Sequence, residues 1–329
     1  MEIALLIIGG LLLLAIGGEF LVRGAVQLAE RMGVSPLIIG ITLVGFGTST
    51  PELVTSIQAA IAGLPGIAVG NIVGSNVANV LLILGASAVV APVMVSSKVL
   101  ARDGVLVLSS AVAFTLIGWF WMLDRVVGAI FIAGLVAYLI YAWRQERTGG
   151  DDHTAAYDKA EAIEAAHDPP SLHLKDGRTV GRTLLSLGYA LGGLAMVVIG
   201  GRILIEGSVE LARDFGISET VIGLTIVAIG TSMPELVTSI LAAIRRQADV
   251  ALGNILGSNI YNTLGIGGAT ALAHPTTMPQ EVNRFDNPVM VGMSVLLLVF
   301  AATGLRISRR EGAVMLACYV AYIYSLWPS

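Results

Sequence analysis

The chain has 329 residues, of which 55% are hydrophobic and only 13% are charged, and its mean hydropathy is +0.83. Soluble domains carry roughly 25% charged residues, so this composition argues strongly against a soluble enzyme. The formal net charge of −4 gives no basic surface for nucleic acid, and a single cysteine, Cys318, excludes a disulfide framework and a cysteine-rich metal site. The composition therefore predicts an all-α polytopic membrane protein that is surrounded by a lipid bilayer.

Ten segments are long and apolar enough for membrane-spanning helices, which need about 20 such residues. The segments are 3–22, 37–60, 67–92, 104–123, 126–143, 183–201, 218–244, 248–272, 288–305 and 312–328. One connection is long, charged and contains proline, and its acidic clusters are more typical of a solvated surface than of a regulatory site. We predict a first five-helix repeat at 1–143, a solvated linker at 144–182 and a second five-helix repeat at 183–329.

The distribution of basic residues predicts the orientation in the membrane. With the N-terminus outside, 15 of the 19 Lys and Arg residues lie in segments on the same side as the linker, and four lie on the other side. Because cytoplasmic connections carry the excess of basic residues, we expect a cytoplasmic linker and both termini outside.

The sequence contains an internal repeat. A shift of 183 residues superimposes 17–86 on 200–269 without a gap, and 38 of the 70 positions are identical. Five crossings in each half give the two halves opposite orientations in the bilayer, and inverted repeats of this kind are typical of secondary transporters. The densest matches pair GFGTSTPELVTSIQAAI (45–61) with AIGTSMPELVTSILAAI (228–244), and GNIVGSNVANVLLILG (70–85) with GNILGSNIYNTLGIGG (253–268).

Two acidic residues, Glu52 and Glu235, lie in the middle of apolar segments at matching positions of the repeats. A charged group at the bilayer centre costs at least about 2.5–3.5 kcal/mol, so each carboxylate needs a partner. No Lys or Arg occupies a comparable depth in the apolar segments, which leaves a bound cation or a proton. The preceding prolines, Pro51 and Pro234, disrupt helical pairing and are expected to free the backbone carbonyls of 45–48 and 228–231.

Hydroxyl and amide side chains surround both glutamates in the sequence. Such an all-oxygen set suits hard cations, since Ca²⁺ takes roughly 6–8 oxygen ligands, and neither repeat offers the sulfur or imidazole that softer metals prefer. We expect Asn71 and Asn76, with their counterparts Asn254 and Asn259, to tie helix backbones together instead of binding an ion. The candidate oxygens are on Thr48, Ser49, Ser75 and Asn79, and on their counterparts Thr231, Ser232, Ser258 and Asn262.

The paired motifs GTSTPELVTS with GSNVANVLLILG, and GTSMPELVTS with GSNIYNTLGIGG, resemble the two α-repeats of the sodium/calcium exchanger branch of the cation/Ca²⁺ antiporter superfamily. The repeats correspond here to 45–85 and 228–268. The resemblance implies a ten-helix prokaryotic antiporter that exchanges Ca²⁺ for Na⁺ by alternating access, as helices one and six slide over the rest. It implies no cofactor and no enzymatic activity, and it suggests a multi-pass protein of the cytoplasmic (inner) membrane; it is compatible with a functional monomer and leaves the oligomeric state open.

The same resemblance implies an ion site between the repeats at the membrane midplane. Asn262 stands where some relatives carry Asp, which favours exchange that does not depend on K⁺. Ca²⁺/H⁺ or another cation/H⁺ antiport is the alternative, because a carboxylate in a low dielectric can bind a proton. The implied ion ligands are Glu52, Glu235, Thr48, Thr231, Ser49, Ser232, Ser75, Ser258, Asn79 and Asn262, with the backbone carbonyls of Gly45 and Ala228.

Overall fold

The computed structural model describes residues 2–147, 153–167, 180–245 and 248–327, and these are mostly helical. Two short strands, β1 (Val93–Met94) and β2 (Arg306–Ile307), pair antiparallel between helices. The helices are α1 (Glu2–Arg31), α2 (36–47), α3 (Thr50–Ile61), α4 (Pro65–Val90), α5 (Ser97–Phe120), α6 (Arg125–Arg147), α7 (Ala155–His167), α8 (Val180–Phe215), α9 (Glu219–Thr231), α10 (Met233–Ile244), α11 (248–273), α12 (Val282–Ala302) and α13 (Arg309–Leu326).

The helix lengths and composition confirm an all-α multi-pass membrane protein. Six helices in the described ranges are long and apolar enough to cross a membrane, or seven if the bent pair α9 and α10 forms one span. Each of the ten predicted segments overlaps one helix or one broken helix pair. Helices α1 and α8 extend well beyond the predicted ends at residues 22 and 201, because polar residues such as Arg23 and Arg202 limit the apolar runs without breaking the helices.

Helices α1 and α8 pack antiparallel with their backbones in contact. Gly10 and Gly17 on α1 face Gly200 and Gly193 on α8, and each set is spaced by seven residues, which is close to two helical turns. A Cβ atom on Gly17 would lie 2.8 Å from the backbone nitrogen of Val197, and one on Gly10 would lie 2.7 Å from that of Leu204. Glycine is therefore required by space at these crossings, as in many membrane helix pairs.

The two spans that carry the glutamates are broken at equivalent positions. Ser49 (φ −87°, ψ 4°) separates α2 from α3, and Ser232 (φ −83°, ψ 7°) separates α9 from α10. Pro51 and Pro234 lie in the first turn of the second helix of each pair, where proline's missing N–H costs no hydrogen bond. Helices α9 and α10 are bent by 48° at this break.

Helices α4 and α11 lie at the centre of the molecule. In the most apolar stretch of 18 residues, 94% of α4 is buried inside the protein, whereas only 22% of α1 is buried. The buried side chains include Ser75 and Asn79 on α4 and Ser258 and Asn262 on α11. The polar residues of the motifs therefore face other helices instead of lipid.

The prediction of a solvated linker is wrong for its described helix, α7. Ala155, Asp158, Lys159 and Ala160 are 0–5% exposed, and Ala160 packs in an apolar cluster with Val26, Ile39 and Val44. We call the side of the molecule where α6 ends and α7 begins the linker side. Residues 148–152 and 168–179 of the linker lie outside the described residues.

Candidate ion site

The two predicted glutamates meet at the centre of the protein, where the broken helices cross. Glu52 and Glu235 occupy the first turns of α3 and α10, and each is 1% exposed. Ser232 Oγ donates to Glu52 Oε1 at 2.9 Å, and Ser49 Oγ donates to Glu235 Oε1 at 3.2 Å. Each serine therefore holds the carboxylate of the other repeat, a reciprocal arrangement that the spacing within one repeat does not reveal.

Several buried oxygens in this region have no hydrogen-bond partner among the described residues. Leaving a buried acceptor unpaired costs roughly 1–3 kcal/mol, so a cluster of such acceptors indicates a missing partner. No group of three acidic, histidine or cysteine residues that could hold a metal occurs in the described ranges, so a cation here would depend on two carboxylates and neutral oxygens. The unpaired atoms at predicted positions are Glu52 Oε2, Glu235 Oε2, Ser75 Oγ, Asn79 Oδ1 and Asn262 Oδ1.

Asparagine side chains brace the two glutamate-bearing helices in the same way. Asn71 Nδ2 donates to the Glu52 carbonyl at 3.1 Å and to Ser56 Oγ at 2.9 Å. Asn254 Nδ2 donates to the Glu235 carbonyl at 3.4 Å and to Ser239 Oγ at 2.7 Å. The predicted structural role of Asn71 and Asn254 is confirmed. Asn76 Nδ2 donates to the Ile72 carbonyl at 2.8 Å, whereas Asn259 Oδ1 accepts from the side chain of Asn79 at 3.0 Å.

The backbone around the breaks differs in part from the expectation. The carbonyl of Ala228 accepts hydrogen bonds from Ser232 N at 3.1 Å and from Thr231 Oγ1 at 3.3 Å. It could bind an ion only after releasing these donors, so the expectation that the break frees this carbonyl is wrong. Gly45 is buried, and a Cβ atom there would lie 3.0 Å from the hydroxyl of Tyr261.

A lysine from the linker helix enters the predicted site, and this corrects the expectation that no basic group reaches that depth. Lys159 on α7 is fully buried, and its Nζ lies 3.5 Å from Glu235 Oε1. It donates to Thr48 Oγ1 at 2.9 Å, to Ser49 Oγ at 3.4 Å and to Ser258 Oγ. Four of the twelve predicted ligand residues thus contact one ammonium group.

The local environment acts on Lys159 in two opposing ways. Burial lowers the pKa of its ammonium, while the carboxylates of Glu235 and Glu52 act in the opposite direction. The sequence did carry a signal for this helix: Ala156, Ala160 and Ile163 recur at helical spacing in 155–163, which is typical of a packed face. The charged composition of the whole linker obscured that pattern.

The two repeats form different contacts around the site, although their sequences are similar. Thr231 Oγ1 donates to Asn71 Oδ1 at 3.1 Å. The equivalent pair in the other half is Thr48 and Asn254; Thr48 instead accepts from Lys159, and Asn254 Oδ1 has no partner among the described residues. The linker side of the site is therefore arranged differently from the opposite side.

Comparison with known proteins assigns this architecture to a known group. The family described as "Sodium/calcium exchanger protein" matches residues 2–144 and 185–327. Among curated relatives, the sodium/calcium exchanger MaX1 of Methanosarcina acetivorans is 36% identical over 98% of both chains, and the putative antiporter CaxA of Alkalimonas amylolytica is 34% identical over 97% of both. The inner membrane protein YrbG of Escherichia coli is 35% identical over 88% of this chain and 86% of its own.

Solved structures give the same result. The sodium-calcium exchanger NCX_Mj, soaked with 10 mM Na⁺ and zero Ca²⁺, superimposes with a TM-score of 0.62 and 29% identity over 99% of both chains. The same protein soaked with 10 mM Na⁺ and 10 mM Sr²⁺ gives a TM-score of 0.63 with the same identity and coverage. The fold is therefore shared along the whole chain.

Proposed function

Because this chain belongs to the sodium/calcium exchanger family, whose members are antiporters and not enzymes, we propose that it exchanges Ca²⁺ for Na⁺ at the site between Glu52 and Glu235. The supporting observation is that these two buried carboxylates lie at one crossing, each held by a serine of the other repeat and each with one unpaired oxygen.

The charge and chemistry of the site fit these substrates. Two carboxylates balance one Ca²⁺ or two Na⁺, and three Na⁺ only in part, so the two ions compete for the same oxygens. The neutral ligands that we propose are the hydroxyl and amide groups of the two repeats, together with the carbonyl of Gly45 and, after it releases its donors, that of Ala228. Hard cations prefer such oxygens.

We propose alternating access as the transport mechanism. Each five-helix half, 1–143 and 183–329, would form the path from the ion site to one side of the membrane. Helices α1 and α8 contact each other along their glycines and would slide as a pair over the remaining helices. The different contacts of Thr48 and Thr231 support two states in which opposite sides of the site open in turn. A working monomer is consistent with a site that this chain alone builds.

We further propose an inner-membrane location with the linker side cytoplasmic and both termini outside. The support is the charge distribution, in which basic residues such as Arg31, Arg144 and Arg147 lie at helix ends on the linker side. In bacterial and archaeal membranes this bias sets the orientation.

Flux measurements in vesicles test the coupling ion. We expect ⁴⁵Ca²⁺ uptake into proteoliposomes to follow an imposed outward Na⁺ gradient and to be unaffected by K⁺, since Asn262 adds no third carboxylate to the two glutamates. Uptake that follows only a pH gradient would instead support Ca²⁺/H⁺ exchange, in which the dehydrated carboxylates of Glu52 and Glu235 carry protons. Net Ca²⁺ uptake into vesicles that contain no Na⁺ or Ca²⁺, with no accompanying proton release, would contradict antiport.

A further inference from the structure

Equivalent grooves on α4 and α11 hold different partners. On α4, a Cβ atom on Gly70 would lie 3.0 Å from the backbone nitrogen of Leu224, and one on Gly74 would lie 2.8 Å from Cβ of Ala228, so α9 fills this groove. The equivalent glycines on α11 are Gly253 and Gly257. The repeat predicts that α2, the counterpart of α9, fills their groove.

The linker helix fills that groove instead. A Cβ atom on Gly257 would lie 3.1 Å from Cβ of Lys159, and one on Gly253 would overlap Asp158. On its other face, α7 packs against α2, where Cβ of Ala160 lies 3.6 Å from a Cβ atom built on Gly40. Helix α7 is therefore a wedge between α2 and α11 on the linker side, while the opposite side is closed by direct contact of α9 with α4.

The wedge ends at the ion site. The Lys159 ammonium is a monovalent cation within hydrogen-bond reach of Thr48, Ser49 and Ser258, and it forms an ion pair with Glu235. A Ca²⁺ ion needs oxygens at roughly 2.3–2.6 Å, and it cannot share these ligands with a positively charged group already bound to them. One carboxylate charge of the pair is also neutralised while Lys159 is present.

The start of α7 is held by polar contacts of the membrane helices. The Asp103 carboxylate accepts from Ala155 N at 3.1 Å and from Tyr138 Oη at 3.0 Å, and Tyr138 Oη in turn accepts from Ala156 N at 3.2 Å. The Glu146 carboxylate accepts from Thr154 N at 2.7 Å. These contacts place the helix so that Lys159, one turn further on, points at the ion site.

From these contacts we propose that α7 is a tethered plug: it closes the linker-side path to the ion site, and Lys159 replaces a transported cation there. The plug and the transported ion compete, so ions arriving from the linker side must displace it. This proposal rests on the ion site of the proposed function but not on which ion drives Ca²⁺ movement.

A disulfide tests whether the seated plug blocks transport. The Cβ separation of 3.6 Å between positions 40 and 160 suits a disulfide, which needs about 3.5–4.5 Å. In a Cys318→Ser background, we expect Gly40→Cys with Ala160→Cys to cross-link under oxidant in ion-free membranes, to lose ⁴⁵Ca²⁺ exchange, and to recover it after reduction. Each single-cysteine variant serves as a control and should be insensitive to the oxidant.

Three outcomes of this experiment would oppose the proposal. Absence of the cross-link in ion-free membranes would show that α7 does not lie between α2 and α11. Full exchange by completely cross-linked protein would show that the seated helix does not block the path. Slower cross-linking when Ca²⁺ is added on the linker side would support competition, and a rate that Ca²⁺ leaves unchanged would contradict it.

Removing the ammonium tests the competition directly. If the plug is seated about nine-tenths of the time, Lys159→Met should lower the apparent Kd for Ca²⁺, measured by calorimetry on the purified full chain, by about tenfold. Lys98→Met, at an exposed lysine on the same side, is the matched control and should leave the Kd unchanged. Thermal unfolding of both variants separates a loss of folding from a change in binding.

The binding results also separate the two proposals. Equal Ca²⁺ affinity of wild type and a folded Lys159→Met variant would overturn the plug while leaving the exchanger intact. If neither the wild type nor a folded Lys159→Met variant bound Ca²⁺ or Na⁺, the ion site itself would be overturned. Weaker Ca²⁺ binding by the Lys159→Met variant would show that Lys159 is a structural residue. The same conclusion would follow if that variant failed to fold and the disulfide variant still transported when cross-linked.

Discussion

Replacing Glu52 or Glu235 by Gln is expected to abolish Ca²⁺ exchange. Each substitution keeps the shape of the side chain but removes half of the negative charge of the site. Removing one partner from a buried ion pair costs about 3–5 kcal/mol, which corresponds to a loss of affinity of at least about 10²-fold. The measurement is the initial rate of Na⁺-driven ⁴⁵Ca²⁺ uptake by purified protein in liposomes.

Glu30→Gln is the control for this prediction, because Glu30 is exposed near the end of α1. It should transport as wild type does. Thermal unfolding of Glu52→Gln should resemble that of Glu30→Gln, since Gln can still accept from Ser232. Glu235→Gln also removes the buried ion-pair partner of Lys159, so its unfolding midpoint should be lower. If either glutamine variant retains normal exchange, the carboxylate at that position does not bind the transported ion.

Substituting Gly193 by Leu is expected to separate α1 from α8 and to stop transport. A Cβ atom on Gly193 would overlap the backbone nitrogen of Leu21 and would lie 2.6 Å from the Gly17 carbonyl oxygen. Backbone atoms cannot move aside as a flexible side chain can, so overpacking here should cost about 1–3 kcal/mol or more. The measurements are the unfolding midpoint of the purified protein and its Ca²⁺ exchange rate.

Gly192 provides a neighbouring control. A Cβ atom there meets nothing within 4 Å, and the residue is exposed on the outer face of α8. Gly192→Leu should therefore keep both stability and exchange, apart from any effect of a more rigid helix. Equal behaviour of the two variants would show that the glycine contact between α1 and α8 is not needed.

The apolar runs and the internal repeat predicted the helices and the positions of both glutamates because each depends on residues within one segment. The role of Asn71 was predictable because its partners lie on the adjacent helix of the same repeat. The bond from Ser232 to Glu52 joins residues 180 positions apart, and repeat spacing alone does not indicate which serine faces which carboxylate.

The prediction of a solvated linker failed for α7 because it considered the charged side chains without their tertiary contacts. A charged side chain predicts solvent contact when it is considered alone, but a lysine has a long apolar stem and an ammonium that oxygens can bind. The stem and the ammonium of Lys159 both have partners, because the stem packs on Gly257 and the nitrogen reaches hydroxyls and a carboxylate. Only the tertiary structure brings these groups to the same place.

The wedge helix occurs once in a chain that is otherwise built from two matching halves. If it docks as proposed, it lowers the energy of one endpoint of the cycle without a counterpart at the other. The two closures of the ion site, which are related by the repeat, would then differ in stability, and the carrier would rest closed to the linker side until its cargo accumulates on that side. The duplicated helices would carry out the exchange in both directions, and α7, which has no counterpart, would set the ion concentration on the linker side at which exchange begins.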